Sequence, residues 1–395
     1  MKNERLLLFL LAIVQFSHIL DFMIIMPLGS QFMRIFEISP QQFSLIVSSY
    51  AFSAMIFGLL SAMYIDRFDR KWALIYAYIG FIVGTLACAL APSYAFFLLA
   101  RSLTGAFGGI LAGLVLAIVG DVIPLERRGQ AMGYVMTAFS VASVVGVPAG
   151  IFLAATFSWQ VPFLAVVGIS LVALALIYFN VPSMVSHLDA SKPKHKPLQA
   201  FTSILNNPNQ LRALAFTIIL MLGHFTIIPF IAPYMQLNIG FSDYEVSYIY
   251  LVGGILTIFL LPFFGKLADL YGHIKVFTIS SLFALASIFV ITNLPEVSII
   301  LALCATSSFF VVASGRSVPA TTLITSVVKP ENRGSFMSIR TSANEMALAL
   351  SSFVAGMIIY ERPDGSLANY EYVGYIAIAM SLLAIFFARR LKSIS

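Results

Sequence analysis

The sequence predicts an all-α integral membrane protein whose twelve transmembrane helices form two pseudo-symmetric six-helix bundles. Two observations carry this. Apolar residues make up 60% of the 395 residues and charged residues only 10%, where a soluble domain ordinarily carries roughly a quarter. The chain also repeats itself: His18 and His224 lie 206 residues apart, and each is followed nine residues later by a proline, Pro27 and Pro233. Asp66 is echoed by Asp269, Pro124 by Pro330, and Arg128-Gly129 by Arg333-Gly334, at nearly the same offset. Paired bundles of this kind let a substrate held between them face first one side of a membrane and then the other.

A span needs about 20 mostly apolar residues. Segments 6–29, 42–65, 72–91, 94–119, 130–154 and 160–181 qualify in the first half, and 211–236, 243–267, 274–293, 296–326, 333–359 and 371–390 in the second. The expected domains are therefore a bundle over 1–181, a linker over 182–210 and a bundle over 211–395. The linker carries Lys192-Pro193-Lys194-His195-Lys196-Pro197, too polar and proline-rich to bury a core, and its place suits a tether that lets the halves rock. The opening Met1 to Arg5 is basic and leads into an apolar run too long for a signal-peptide core, so that run is expected to remain as the first span.

Orientation follows from the positive charges. With the N-terminus inside, only Arg34 and Arg362 fall in external loops; Arg101, Arg316 and Arg340 lie within spans, and every other Lys and Arg is internal. Both termini are expected in the cytoplasm. The net charge of +6 then needs no nucleic-acid partner, since anionic headgroups neighbour the basic loops. Cys88 and Cys304 both sit in apolar runs, which leaves no disulfide or metal framework. There is no phosphate-cradling loop, no metal-spaced His and Cys cluster and no nucleophile with its base. The chain reads as a non-enzyme without cofactor.

The loop after the second span, Ala62-Met63-Tyr64-Ile65-Asp66-Arg67-Phe68-Asp69-Arg70-Lys71, resembles the signature loop of the major facilitator superfamily. Ala62 and Asp69 stand where that family usually has glycine. A second copy, Gly265-Lys266-Leu267-Ala268-Asp269-Leu270-Tyr271-Gly272, keeps the glycines and the acid and lacks the arginines. In the family this loop is a cytoplasmic latch whose acid contacts a neighbouring helix end, so Asp66, Arg67, Arg70, Gly265, Asp269 and Gly272 are candidate conformational residues. Arg101-Ser102-Leu103-Thr104-Gly105 is similar to the arginine-glycine motif linked in the family to proton coupling. Gly146-Val147-Pro148-Ala149-Gly150 resembles the motif that marks exporters, in which glycine permits close helix approach and proline bends the helix. With Gly315-Arg316 and Arg333-Gly334, the chain is most similar to the drug:proton antiporter and arabinose-efflux-permease group, which implies the major facilitator fold, a bacterial inner membrane and a monomer.

The repeat also works as a filter. Asp21, Arg101, Arg316 and Glu345 correspond to Ile227, Ser307, Ile110 and Phe139 in the other half, so none of these charges is duplicated. An ionisable group near the bilayer centre costs about 2.5 to 3.5 kcal/mol on insertion scales, and four kept there ask for a reason. Asp21, near the middle of span 1, is the leading proton site, with His18 one turn away on the same face; a fixed structural hydrogen bond is the alternative. Glu345 belongs to a polar stripe with Ser338, Ser342 and Ser352 that must turn away from lipid, either to line a cavity, to carry a second proton or to pair with an arginine. Asp21, Arg101, His18 and Glu345 are thus the candidate proton-coupling residues, and Gln15, His224, Arg316 and Ser342 the candidate cavity lining. The recurrence of His18 and His224 also fits packing histidines. Pro27, Pro229, Pro233, Pro262 and Pro319 should interrupt their spans.

The expected function is proton-coupled antiport, exporting a small lipophilic or amphiphilic compound, drug or sugar-like, by alternating access. The alternative is uptake of a sugar or organic anion by proton symport, with Arg316 and Arg101 attracting the anion. A scaffold or sensor has no need for intramembrane acids and a kinked cavity.

Overall fold

A computed structural model of the chain describes residues 4–185, 204, 206–328 and 333–393, with the side chains of 62, 66, 125, 126 and 333–335 outside the described set. Most of the expected linker, including its basic cluster from Lys192 to Pro197, also lies outside the described residues, as does Pro330. Among the described residues, eleven helical stretches are long and apolar enough to cross a membrane. The twelfth expected span is the 26-residue helix Arg333–Ile358, which carries the Ser and Glu stripe.

In chain order the helices are α1 (Glu4–Met23), α2 (Gly29–Phe36), α3 (Pro40–Tyr64), α4 (Arg70–Ala89), α5 (Tyr94–Val122), α6 (Leu125–Val141), α7 (Val147–Thr156) and α8 (Val161–Asn180). They continue as α9 (Pro208–Phe225), α10 (Ile228–Leu237), α11 (Glu245–Tyr271), α12 (His273–Thr292), α13 (Ile299–Thr325), α14 (Arg333–Ile358) and α15 (Tyr370–Ala388). A hairpin of two residues a side, Tyr360–Glu361 against Leu367–Ala368, precedes α15. The chain divides into two compact units, Met1–Ile25 with Ser49–Leu198 and Met26–Ser48 with Gln199–Ser395.

The first and seventh expected spans are interrupted, and the prolines explain where: the first ends in a turn before α2, and the seventh is built from α9 and α10. Proline lacks an N–H and its ring collides with the carbonyl four residues earlier. Counting four back from Pro27 gives Met23, where α1 ends; counting four back from Pro229 gives Phe225, where α9 ends. The duplicated proline is therefore not the one that breaks both halves: Pro233 sits inside α10. Pro262 and Pro319 are likewise contained within the continuous helices α11 and α13.

In the first unit α4 packs on α5 and α8, and α1 on α6 and α8. The fifth span changes its winding partway: α6 passes into a π-helical turn at Ala142–Gly146 before α7 resumes. Pro148 leaves the Val144 carbonyl without its usual donor, and a wider turn accommodates the ring. Gly146 and Gly150 then present bare backbone to α1. A Cβ at Gly146 would stand 2.9 Å from Leu20 Cδ1, and one at Gly150 would strike Ile24. In the second unit α13 packs on α11 and α12, and α9 on α14 and α15. Phe216, Leu220, Phe277, Ile324, Val327, Phe336 and Ala384 form its core. Phe179, Phe259, Leu270 and Ile300 are exposed, as apolar side chains facing lipid tails would be.

Candidate functional site

The first unit buries an ion pair. Arg101 Nη1 donates to Asp21 Oδ2 at 2.6 Å, and both side chains are completely shielded. The pair is unevenly satisfied: Asp21 Oδ1 and Arg101 Nε and Nη2 are sealed in without hydrogen-bond partners. Part of that deficit is met by an aromatic face, because the guanidinium carbon lies 4.5 Å from the centre of the Tyr50 ring. Thr85, on α4, lies beside the carboxyl.

Glycines put Tyr50 there. Along α5, a Cβ at Gly105 would run into the Tyr50 carbonyl oxygen, one at Gly108 into the Tyr50 hydroxyl, and one at Gly109 into the Ala54 carbonyl. With no side chains at these positions, α3 lies directly on α5 and its Tyr50 reaches the Arg101 side chain. The Arg101 to Gly105 motif is thus a charge followed one turn later by the gap that admits its aromatic platform.

His18 does not join the pair. It is buried on α1 with its Nε2 unpartnered, and Asp21 is bound across to α5 instead. Gln15, one turn earlier, is also buried with a free Oε1. Ser17, between them, meets the Tyr78 hydroxyl at 2.9 Å.

The second unit holds a different constellation on α9, α13 and α15. Arg316 is 1% exposed; its Nη1 donates to Ser381 Oγ at 3.0 Å and its Nη2 lies 3.3 Å from His224 Nδ1. The His224 ring is half-buried and stacks on Phe309, with centroids 5.9 Å apart. No carboxylate among the described residues pairs with Arg316. Glu345 is half-buried on α14, without a hydrogen bond or ion pair to any described residue, so the arginine partner weighed for it from sequence is not found. Ser342 donates to the Ser338 carbonyl at 3.4 Å, and Arg340 reaches Thr321 at the same distance.

The signature loop ties three elements of the first unit together. Arg70 Nε donates to Asp121 Oδ2 at 2.8 Å, joining the start of α4 to the end of α5, while its Nη1 reaches the Ile65 carbonyl. Asp69, which occupies a position where the resemblance leads one to expect glycine, caps α4 by accepting from Lys71 N at 2.8 Å, and accepts from Met184 N at 2.9 Å. Arg67 lies over the Tyr64 ring. Asp66 falls in the short 3-10 turn Ile65–Arg67, and its side chain is outside the described set. In the second copy Gly272 ends α11 at a φ of 91°, which only glycine adopts without strain. Asp269 is exposed, and a Cβ at Gly265 would meet only Val318, at an ordinary 3.9 Å.

Sequence reasoning missed Tyr50, Ser381, Asp121 and the capping role of Asp69. Asp121 carried a signal, as an acid three residues before Pro124 at the end of a span. Tyr50 and Ser381 carried none, because each is chosen by helix packing alone.

A bundle of spanning helices with broken first and seventh spans and charges buried inside is the architecture of a membrane transporter, not of an enzyme. The Major Facilitator Superfamily family model matches residues 11–315 and 213–393. The chain belongs to the Major Facilitator Superfamily. It is 25% identical over 360 residues to the inner membrane transport protein YdhP of Escherichia coli (strain K12), covering 90% of this chain and 88% of that one. It is 25% identical over 277 residues to multidrug resistance protein 2 of Bacillus subtilis (strain 168), 69% of each. Among solved structures, that of a D-xylose-proton symporter superposes with a TM-score of 0.79 at 16% identity, covering 98% of this chain and 97% of that one.

Proposed function

We propose that this transporter is a proton-coupled antiporter of a bacterial inner membrane, with both termini cytoplasmic, exporting a small lipophilic or amphiphilic compound as its two bundles, 1–181 and 211–395, rock about the linker. The observation that carries the reading is the Asp21–Arg101 pair. A shielded carboxylate held by a single charged hydrogen bond switches its strongest interaction off when it takes up a proton. Neutral Asp21 no longer holds Arg101, so protonation shifts the balance between two packings of α1 against α5. In the present conformation the carboxyl is closed off on every side, and proton exchange belongs to another conformation in which this contact opens.

Export is supported by the π-helical turn at Ala142–Gly146 and the glycines that follow, which give α1 a smooth surface to slide on, and by the likeness to multidrug resistance protein 2. The test is transport by purified protein in liposomes under an imposed pH gradient. Asp21→Asn should fold and lose gradient-driven movement of cargo. Undiminished proton-driven transport by that variant would remove Asp21 from the mechanism, and accumulation along an inward proton gradient would replace antiport by symport.

A further inference from the structure

We propose that His224 and Arg316 form an anion-receiving site in the second unit, so that the exported compound carries a carboxylate or similar anionic group. This deepens the export reading above by giving the cargo a charge. It begins from a contrast between the units. In the first, helices α1 and α5 bring a carboxylate to an arginine, and the pair is neutral. In the second, the corresponding helices α9 and α13 bring an imidazole to an arginine, and the guanidinium keeps its charge, with no acid against it among the described residues. A buried cation without a counter-charge is costly to keep. Ser381 supplies a hydrogen bond and no charge.

The hydrogen-bond chemistry gives the imidazole its direction. Arginine has donors only, so at 3.3 Å from Arg316 Nη2 the His224 Nδ1 must accept, and the ring proton sits on Nε2. That nitrogen is not sealed in, unlike the Nε2 of its repeat partner His18. The half-buried ring, held by Phe309 on its face, therefore leaves an N–H donor accessible with a permanent positive charge behind it. A ligand anion accepts from His224 Nε2, and Arg316 acts through the ring as a positioning residue; it fixes the tautomer and supplies the field. The arginine itself need not be exposed. Arg101 does not compete for the anion, since Asp21 already neutralises it.

The experiment uses the full chain in lipid nanodiscs with no gradient, so its result is independent of whether Asp21 couples transport. Thermal stabilisation is measured with benzoate, phenylacetate and naphthoate, with their methyl esters, and with the matching benzyl and naphthylmethyl amines. The carboxylates should stabilise the wild type while esters and amines do not. His224→Phe should weaken carboxylate binding on the order of tenfold or more, the loss expected for a charge-assisted hydrogen bond, and His224→Gln, which can both accept from Arg316 and donate, should retain most of it. Histidine-selective NMR should show the Nε2-protonated tautomer at position 224, displaced in Arg316→Gln and kept in Arg316→Lys. The proposal is overturned if no carboxylate stabilises the wild type, if esters or amines match the acids, or if His224→Phe binds the acids unchanged.

Discussion

The carboxylate of Asp21 meets Arg101 through one oxygen and one guanidinium nitrogen, 2.6 Å apart, the same nitrogen reaching the Asp21 carbonyl at 3.5 Å, and neither side chain touches solvent. Removing one partner of a buried pair leaves the other charge stranded, which typically costs about 3 to 5 kcal/mol, whereas removing both charges is close to neutral. Asp21→Asn should therefore be markedly less thermostable than the wild type, with only the Tyr50 face left to the stranded arginine, and Arg101→Gln less so, because a carboxyl left alone neutralises itself by taking up a proton. The double variant Asp21→Asn with Arg101→Gln should recover most of the loss. Equal melting points for all three variants would mean that the pair does not act as a unit.

The close seating of α3 on α5 gives a second expectation. Gly105→Ala puts a methyl group against the Tyr50 backbone, 2.7 Å from its Cα, and backbone cannot rotate out of the way. The helices must part, at about 1 to 3 kcal/mol for an overpacked contact, and Tyr50 is drawn off Arg101. Gly113→Ala on the same helix, with nothing within 4 Å, should be neutral or slightly stabilising because alanine is the better helix former. Thermal unfolding of the two variants side by side separates packing from composition.

How much of this was legible depends on the range of the interaction. Spans follow from local apolar runs, so 94–119 emerges as Tyr94–Val122 and 371–390 as Tyr370–Ala388, and Asp21 and Arg101 stood out because lone charges in apolar runs are conspicuous. Their partnership was not legible, since sequence proximity favoured His18 and only the crossing of α1 and α5 selects Arg101. The repeat gave the correct helices and misled on detail: it aligned Pro27 with Pro233, whereas the break in the second half is made by Pro229, four residues after the last helical carbonyl that can be left free. Asp69 looked like a departure from a glycine pattern, and its use as a helix cap appears only once Lys71 N and Met184 N are seen converging on one carboxylate.

That cap can be tested by restoring the glycine. Asp69→Gly removes the acceptor for Lys71 N, Met184 N and the Ser183 hydroxyl together. A lost N-cap costs about 1 kcal/mol, less where glycine replaces the capping residue, and the contacts to 183 and 184 add to that. The variant should melt earlier and expose the segment after α8 to protease, while Arg67→Gln, whose side chain lies over Tyr64 and takes no part in these contacts, should change neither. An unchanged digestion pattern in Asp69→Gly would show that the end of α8 is held by other contacts.

Pro148 offers the sharpest separation of stability from transport. Replacing it by alanine supplies the missing N–H for the Val144 carbonyl and removes the ring, so the π-helical turn at Ala142–Gly146 can close into regular α-helix. The residues that follow would then rotate about the helix axis and carry Gly146 and Gly150 away from Leu20 and Ile24, replacing a smooth contact by an interlocked one. The expected outcome is slower amide exchange over 142–148, equal or higher thermal stability, and slower transport. If exchange and transport are both unchanged, the wide turn is imposed by the packing of α1 and not by proline, and the substitution to make instead is Gly150→Ala, whose Cβ meets Ile24 directly.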